Sequence, residues 1–125
     1  MKKIHSTQAP EAVGPYSQAI ESDGLLYCSG QIPLDPETGK LIESSIEDQT
    51  RQVMKNLSAV LKQGGSSFGG VIKATIYLKD LNDFSRVNEV YASYFSEPFP
   101  ARVTIQAGKL PLDAQVEIDA IAKVL

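Results

Sequence analysis

Three polar side chains of different chemistry alternate along one short stretch, FPARVTIQAGKLP, residues 99–111. Read as a strand over 101–107, its period of two puts Arg102, Thr104 and Gln106 on one side and Val103 and Ile105 on the other. A guanidinium offers a planar fork of donors that matches a carboxylate or a phosphate. Downstream, VEIDAIAK puts Glu117, Asp119, Ile121 and Lys123 on one side of a further strand. If these last two strands pair as a hairpin, the Arg102 and Glu117 faces can coincide. An anion receptor would then stand beside an acid–base group, whose pKa rises with burial in a cleft and falls beside a guanidinium. The same pattern describes a purely structural Arg102–Glu117 salt bridge, and the residues alone leave both open.

Other segments add site candidates. In Gly14-Pro15-Tyr16, Tyr16 can supply a hydroxyl and a ring wall. In Ser29-Gly30-Gln31, glycine lets a ligand approach the backbone closely. Asn88 stands just beside the apolar stripe of the second expected helix. Each has a plain alternative: turn chemistry for the first two and an exposed or locally bonded amide for the third.

Several chemistries are excluded or disfavoured. With one His and one Cys there is no Cys/His zinc set. A Ser-His-Asp triad would have to use His5, close to the N-terminus. Cys28 lies in the apolar run LLYCSG and reads as a small buried hydrophobe. GGSSFGG lacks the Lys-Ser/Thr of a P-loop and follows a helix instead of a strand, and LDPETGKL lacks EF-hand spacing. The NLS sequon at Asn56 falls inside an expected helix.

The elements that must position these residues follow from hydrophobic period. Asp23-Gly24 is a hairpin signal joining strands near 17–22 and 25–30. Ser44 to Gln63 reads as a helix, with Ser44 and Glu47 at capping-box spacing and Gly64-Gly65 at its end. Val71 to Lys79 alternates as a strand. Asp80 can cap a second helix over 81–95, with Phe84, Val87, Tyr91 and Tyr94/Phe95 as its stripe; Pro98 and Pro100 stop it. Strands over 101–107 and 114–124 complete the order, with an optional extra strand before the first helix. Two amphipathic helices covering one face of a mainly antiparallel sheet make an α+β two-layer sandwich. The other sheet face, half apolar and uncovered, invites self-association.

The chain is 125 residues long, 42% hydrophobic and 22% charged, with net charge −3: the size of one domain, spanning 1–125, with no basic cluster for nucleic acid or anionic lipid. One cysteine permits no intrachain disulfide and fits a reducing compartment. MKKIHSTQAP lacks an apolar h-region and no run reaches transmembrane length, so the expected location is cytoplasmic, without membrane contact.

APEAVGPYSQAI, SGQIPLDPETG, QVMKNLSAVLKQGG, VIKATIYLKDLNDFSRVNEVYASYF, FPARVTIQAGKLP and VEIDAIA, in this order, resemble the RidA/YjgF/YER-type family of reactive-intermediate imine deaminases, and its YabJ-like bacterial branch. The resemblance spans nearly the whole chain. It implies a chorismate-mutase-like fold, a homotrimer around a central barrel, and sites in the clefts between subunits. It implies hydrolysis of 2-imino acids or their enamine tautomers to 2-keto acids and ammonia, with 2-iminobutanoate and 2-iminopropanoate (from 2-aminoacrylate) as substrates. Pyridoxal-phosphate dehydratases generate such species, and no metal or organic cofactor is implied. By the resemblance, Arg102 is the carboxylate-binding arginine and Glu117 the water-positioning glutamate. Tyr16, Ser29, Gly30, Asn88 and Thr104 fall on substrate-binding positions. Many members have cysteine where this chain has Thr104, and often arginine where it has Lys109. Some carry an endoribonuclease or translation-inhibitor label, and the YabJ likeness points to a regulatory binding role. The acidic charge and the lack of an aromatic–basic platform argue against RNA.

Overall fold

Hydrophobic period sorts the chain into two layers. The computed structural model describes all 125 residues. In chain order they form β1 (Lys2–Ile4), β2 (Ala19–Ser22), β3 (Leu25–Gln31), α1 (Ile46–Gln63), β4 (Val71–Leu78), α2 (Phe84–Ala92), β5 (Ala101–Gln106) and β6 (Val116–Lys123). The strands make one sheet in the order β1-β2-β3-β6-β4-β5, antiparallel throughout except for the parallel pair β4/β5. Ala74, Ile76 and Leu78 of β4 and Val116, Ile118, Ala120 and Ala122 of β6 are buried with the α1 stripe of Val53, Met54, Leu57, Val60 and Leu61. Leu57 is 1% exposed, so Leu57→Ala would cost about 2–5 kcal/mol.

Local signals explain the element ends. Asp23 (φ 52°) and Gly24 (φ 80°) both take the left-handed backbone that a tight β2/β3 turn demands. Ser45 is the N-cap of α1, its Oγ accepting from the Asp48 amide at 3.1 Å. This corrects the expected Ser44 cap by one residue; the Ser44 hydroxyl donates instead to Asp48 Oδ2 at 2.8 Å. Asp80 caps a short 3-10 turn, Leu81–Asp83, by accepting from the Asn82 amide at 2.9 Å, and α2 follows. The optional strand before α1 is only an isolated bridge, Leu34 to Leu41. The short β1, paired through Lys3 and Ile20, had no sequence signal.

The largest correction concerns the last two strands. β5 and β6 do not form a hairpin: β4 lies between them. Since β4-α2-β5 is a strand–helix–strand unit, its helix carries the chain back and β5 pairs parallel to β4. Arg102 is registered with Ala74 and Thr104 with Ile76, both buried under the helices. Glu117 is registered with Tyr77, whose parity is opposite. Arg102 and Glu117 therefore project from opposite faces of the sheet. The open face carries Tyr27, Lys73, Thr75, Tyr77, Val103, Ile105, Glu117, Asp119 and Ile121; Val103 is 45% and Ile105 43% exposed. No helix is long and apolar enough to cross a membrane.

Candidate active site

The expected site residues divide into two groups. The first lies where edge strand β5 meets α2. The Arg102 guanidinium carbon stands 5.0 Å from the Tyr91 ring centroid and 5.6 Å from that of Phe84. Nη1 donates to Asn88 Oδ1 at 2.6 Å. Asn88 thus fixes the fork while the two rings stabilise its charge. None of the four ion pairs in the chain involves Arg102, so the salt-bridge alternative for Arg102 and Glu117 is gone. The result is a cation held by neutral groups, with donors left for an external anion. Gln106, on the same side of the strand, is structural: its Oε1 accepts from the Leu81 amide at 2.9 Å.

Thr104 Oγ1 and Tyr91 Oη are the two buried side-chain polar atoms in the chain that have no hydrogen-bond partner. Both belong to this group, Tyr91 against the guanidinium and Thr104 two residues along β5. Burial pushes the Tyr91 phenol above its ordinary pKa, with Arg102 opposing. Phe84 and Tyr91 were missed by sequence reasoning as anything but core. Their signal was an aromatic pair seven residues apart with an amide between them on one helix face.

The second group surrounds a cavity of about 580 Å³ lined by Tyr16, Ser29, Gly30, Ile32, Leu112 and Glu117, among others. A bulge builds it. Cys28 pairs with Ala120 and Gln31 with Ile118, so Ser29 and Gly30 together oppose Asp119. The Ser29 hydroxyl donates to the Ser17 carbonyl at 2.6 Å, tying the bulge to the loop that carries Tyr16. Buried amides anchor the surrounding loops. Gln18 Nε2 donates to the Pro10 carbonyl at 2.8 Å, and Asn56 Nδ2 donates to the carbonyls of Ile32 and Leu34 at 3.2 and 2.9 Å. Leu112, at the rim, holds a left-handed backbone (φ 56°) unusual for its type.

Glu117 is half-buried and forms no ion pair. Loss of hydration, reinforced by the Asp119 charge, pushes its pKa above the ordinary carboxylate value. A carboxylate with raised proton affinity is better able to accept a proton from water and return it. The other nucleophile candidate is inert: burial raises the Cys28 thiol to about 12, with Asp119 adding to it. His5 Nε2 lies 3.5 Å from Glu11 Oε1. Nowhere do three or more His, Cys, Asp or Glu side chains converge to hold a metal ion. A larger groove, about 1130 Å³, runs along the outer face of α1 and contains none of the expected site residues.

One chain therefore gathers Tyr16, Ser29, Gly30 and Glu117 in one place and Asn88, Arg102 and Thr104 in another. It does not bring the two groups together.

The family model described as Endoribonuclease L-PSP matches residues 6–124. A RutC family protein of Pyrococcus horikoshii is 52% identical over 98% of this chain and 98% of its own length. The mouse 2-iminobutanoate/2-iminopropanoate deaminase is 46% identical over 97% of this chain and 90% of its own. The crystal structure of E. coli TdcF with bound serine superposes with a TM-score of 0.93 at 40% identity, covering 98% of each chain.

Proposed function

The chain belongs to the RidA/YjgF family, and from that premise we propose that it hydrolyses 2-imino acids and their enamine tautomers to 2-keto acids and ammonia, at a site completed by a second copy of the chain. The carrying observation is the pairing of opposites across the sheet. Arg102 is a cation with no anion of its own, and Glu117 is a carboxylate with no cation and a raised proton affinity. Two relatives agree with this chemistry: one is named for the 2-iminobutanoate reaction, the other holds serine, an amino acid with a carboxylate.

Each half has a task. The Arg102 fork takes the substrate carboxylate, with its plane set by Asn88 and the Tyr91 and Phe84 rings. That fixes the neighbouring C2, the electrophilic carbon of the C=N bond. The Gly30 carbonyl accepts from the iminium N–H, and Ser29 and Tyr16 close the wall. Glu117 accepts a proton from water as the water oxygen bonds to C2 and the C=N π pair moves to nitrogen. The tetrahedral carbinolamine then collapses: the Glu117 proton goes to nitrogen, the hydroxyl proton passes to the Glu117 carboxylate so freed as the C=O bond forms and the C–N bond breaks, ammonia and the 2-keto acid leave, and Glu117 returns that proton to solvent. Water is the only co-reactant. The imine is already electrophilic, so orientation and proton transfer suffice.

A homotrimer with three intersubunit clefts suits the split halves and the open sheet face bearing Val103 and Ile105. Pyridoxal-phosphate dehydratases acting on threonine or serine would supply the substrate. The endoribonuclease description of the family model finds less support. The net charge of −3 and the lack of a basic cluster leave no extended cationic surface to hold a phosphate backbone. The test supplies threonine and a threonine dehydratase and follows release of 2-oxobutanoate. Wild type should accelerate it, and Arg102→Ala and Glu117→Ala should do so far less. No acceleration by wild type, or full activity in Arg102→Ala, contradicts the proposal.

A further inference from the structure

Gly30 does not need to be glycine for its own backbone. The glycines with positive φ are Gly24, Gly39 and Gly65, and Gly30 is not one of them. The reason lies across the strand. A Cβ at position 30 would meet Glu117, at 2.9 Å from Cδ and 3.0 Å from Cγ, and would collide with Oε2. No other glycine in the chain has its missing side chain's volume taken by a carboxylate. Gly24 and Gly39, which need glycine for φ, have open space at that point.

We infer that Gly30 is a positioning residue: its absent side chain is the socket in which the Glu117 carboxylate sits. The bulge makes the socket. With Ser29 and Gly30 together opposite Asp119, the Gly30 backbone lies beneath the Glu117 side chain, and an ordinary β-residue there would fill the space. This places Gly30 differently from a ligand contact alone. It holds the acid–base group over the cavity floor, and its own carbonyl remains available to substrate.

Position and proton affinity are linked here. The titratable groups around Glu117 are Asp119 on β6, Tyr77 on β4, and Glu11 and Tyr16 from the loop lining the cavity; β3 contributes none at the bulge. No cation faces it. A carboxylate pushed out of the socket into the open cavity regains water and moves from Asp119, and its pKa falls toward the ordinary carboxylate value.

The catalytic consequence rests on the reading of Glu117 as the acid–base group; the socket itself does not. The experiment therefore reads the socket without substrate. Thermal unfolding is measured for wild type, Gly30→Ala, Glu117→Ala and the double variant. Gly30→Ala should lower Tm in the wild-type background and lower it by less than half as much in the Glu117→Ala background. An equal loss in both backgrounds overturns the inference. If Gly30→Ala alone does not fold, recovery of a folded double variant is the expected result, and failure of both overturns it. In the folded Gly30→Ala protein, a 13C-carboxyl NMR titration, assigned by the resonance missing in Glu117→Gln, should show the Glu117 pKa shifted down. An unchanged value overturns the inference. A coupled Gly30–Glu117 pair in a protein that does not hydrolyse imines would sink the deaminase reading and leave the socket standing.

Discussion

Arg102 and Glu117 leave the same sheet in opposite directions, with β4 lying between their strands. A guanidinium packed against α2 cannot reach a carboxylate on the open face of the same chain. Both groups are nonetheless prepared for partners: one lacks an anion, the other lacks a cation.

Arg102→Ala removes the guanidinium proposed to hold the substrate carboxylate. Loss of charge-assisted bonds worth about 2–3 kcal/mol should lower kcat/KM roughly 30- to 150-fold. Arg102→Lys keeps the charge but not the planar fork or its stacking on Tyr91 and Phe84, and should recover only part of the loss. Steady-state kinetics with dehydratase-generated imine checks both, and equal activity of the Lys variant and wild type would show that charge alone matters.

Glu117→Gln should lower kcat about 10²- to 10⁴-fold. Its effect on stability has the opposite sign. The folded-state pKa is raised by lost hydration and by Asp119, so the ionised form is held at a cost. That cost is present above the folded pKa and disappears as pH falls toward the unfolded value. Glu117→Gln should therefore raise Tm at neutral pH, and the gain should vanish on acidification. A neutral-pH Tm below that of wild type would show that the carboxylate is stabilising, against the raised pKa.

Thr104→Val and Tyr91→Phe each remove a buried hydroxyl that has no partner in the chain. Unpaired buried hydroxyls cost stability, so each substitution should stabilise by about 0.5–1 kcal/mol, a Tm increase of roughly 2–5 °C. Destabilisation by either would mean that the hydroxyl is bonded in the assembled protein. Differential scanning calorimetry decides between these.

Strand parity, both helices and the cavity's Tyr16, Ser29 and Gly30 were legible in the sequence, because period, turn chemistry and glycine placement are local signals. The pairing of β5 is a long-range feature that its own residues do not encode. GKLP between two strands has the length of a hairpin loop, but the β4-α2-β5 crossover carries the chain back and β5 pairs parallel to β4. Only a β5/β6 hairpin would put Arg102 and Glu117 on one face, and β4 stands between those strands. The face of β5 was also read without its edge position. Val103 and Ile105 point to the open side, while Arg102 and Thr104 turn toward α2, so polarity gave no guide to which side was covered. Asn88 looked like a surface amide because its partner, Arg102, lies fourteen residues away in sequence. The Gly30 socket depends on a bulge, a long-range register feature that no local pattern encodes.

The open face carries its own prediction. Wild type should sediment at three times the 13.5 kDa chain mass. Ile105→Asp puts a charge among the exposed apolar groups of that face and should yield monomers without imine hydrolysis. Sedimentation equilibrium gives the mass, and an active monomer would contradict a shared site.

The most direct test of a site assembled from opposite faces of two copies is subunit mixing. Arg102→Ala and Glu117→Gln proteins, each strongly impaired, are unfolded together in equal amounts, refolded, and assayed for imine hydrolysis. Random assortment places an intact Arg102 half against an intact Glu117 half in about a quarter of the clefts, so the mixture should regain roughly that share of wild-type activity. If the mixture stays at the level of the separate variants, the two residues do not meet across a subunit boundary, and the two-copy site is wrong.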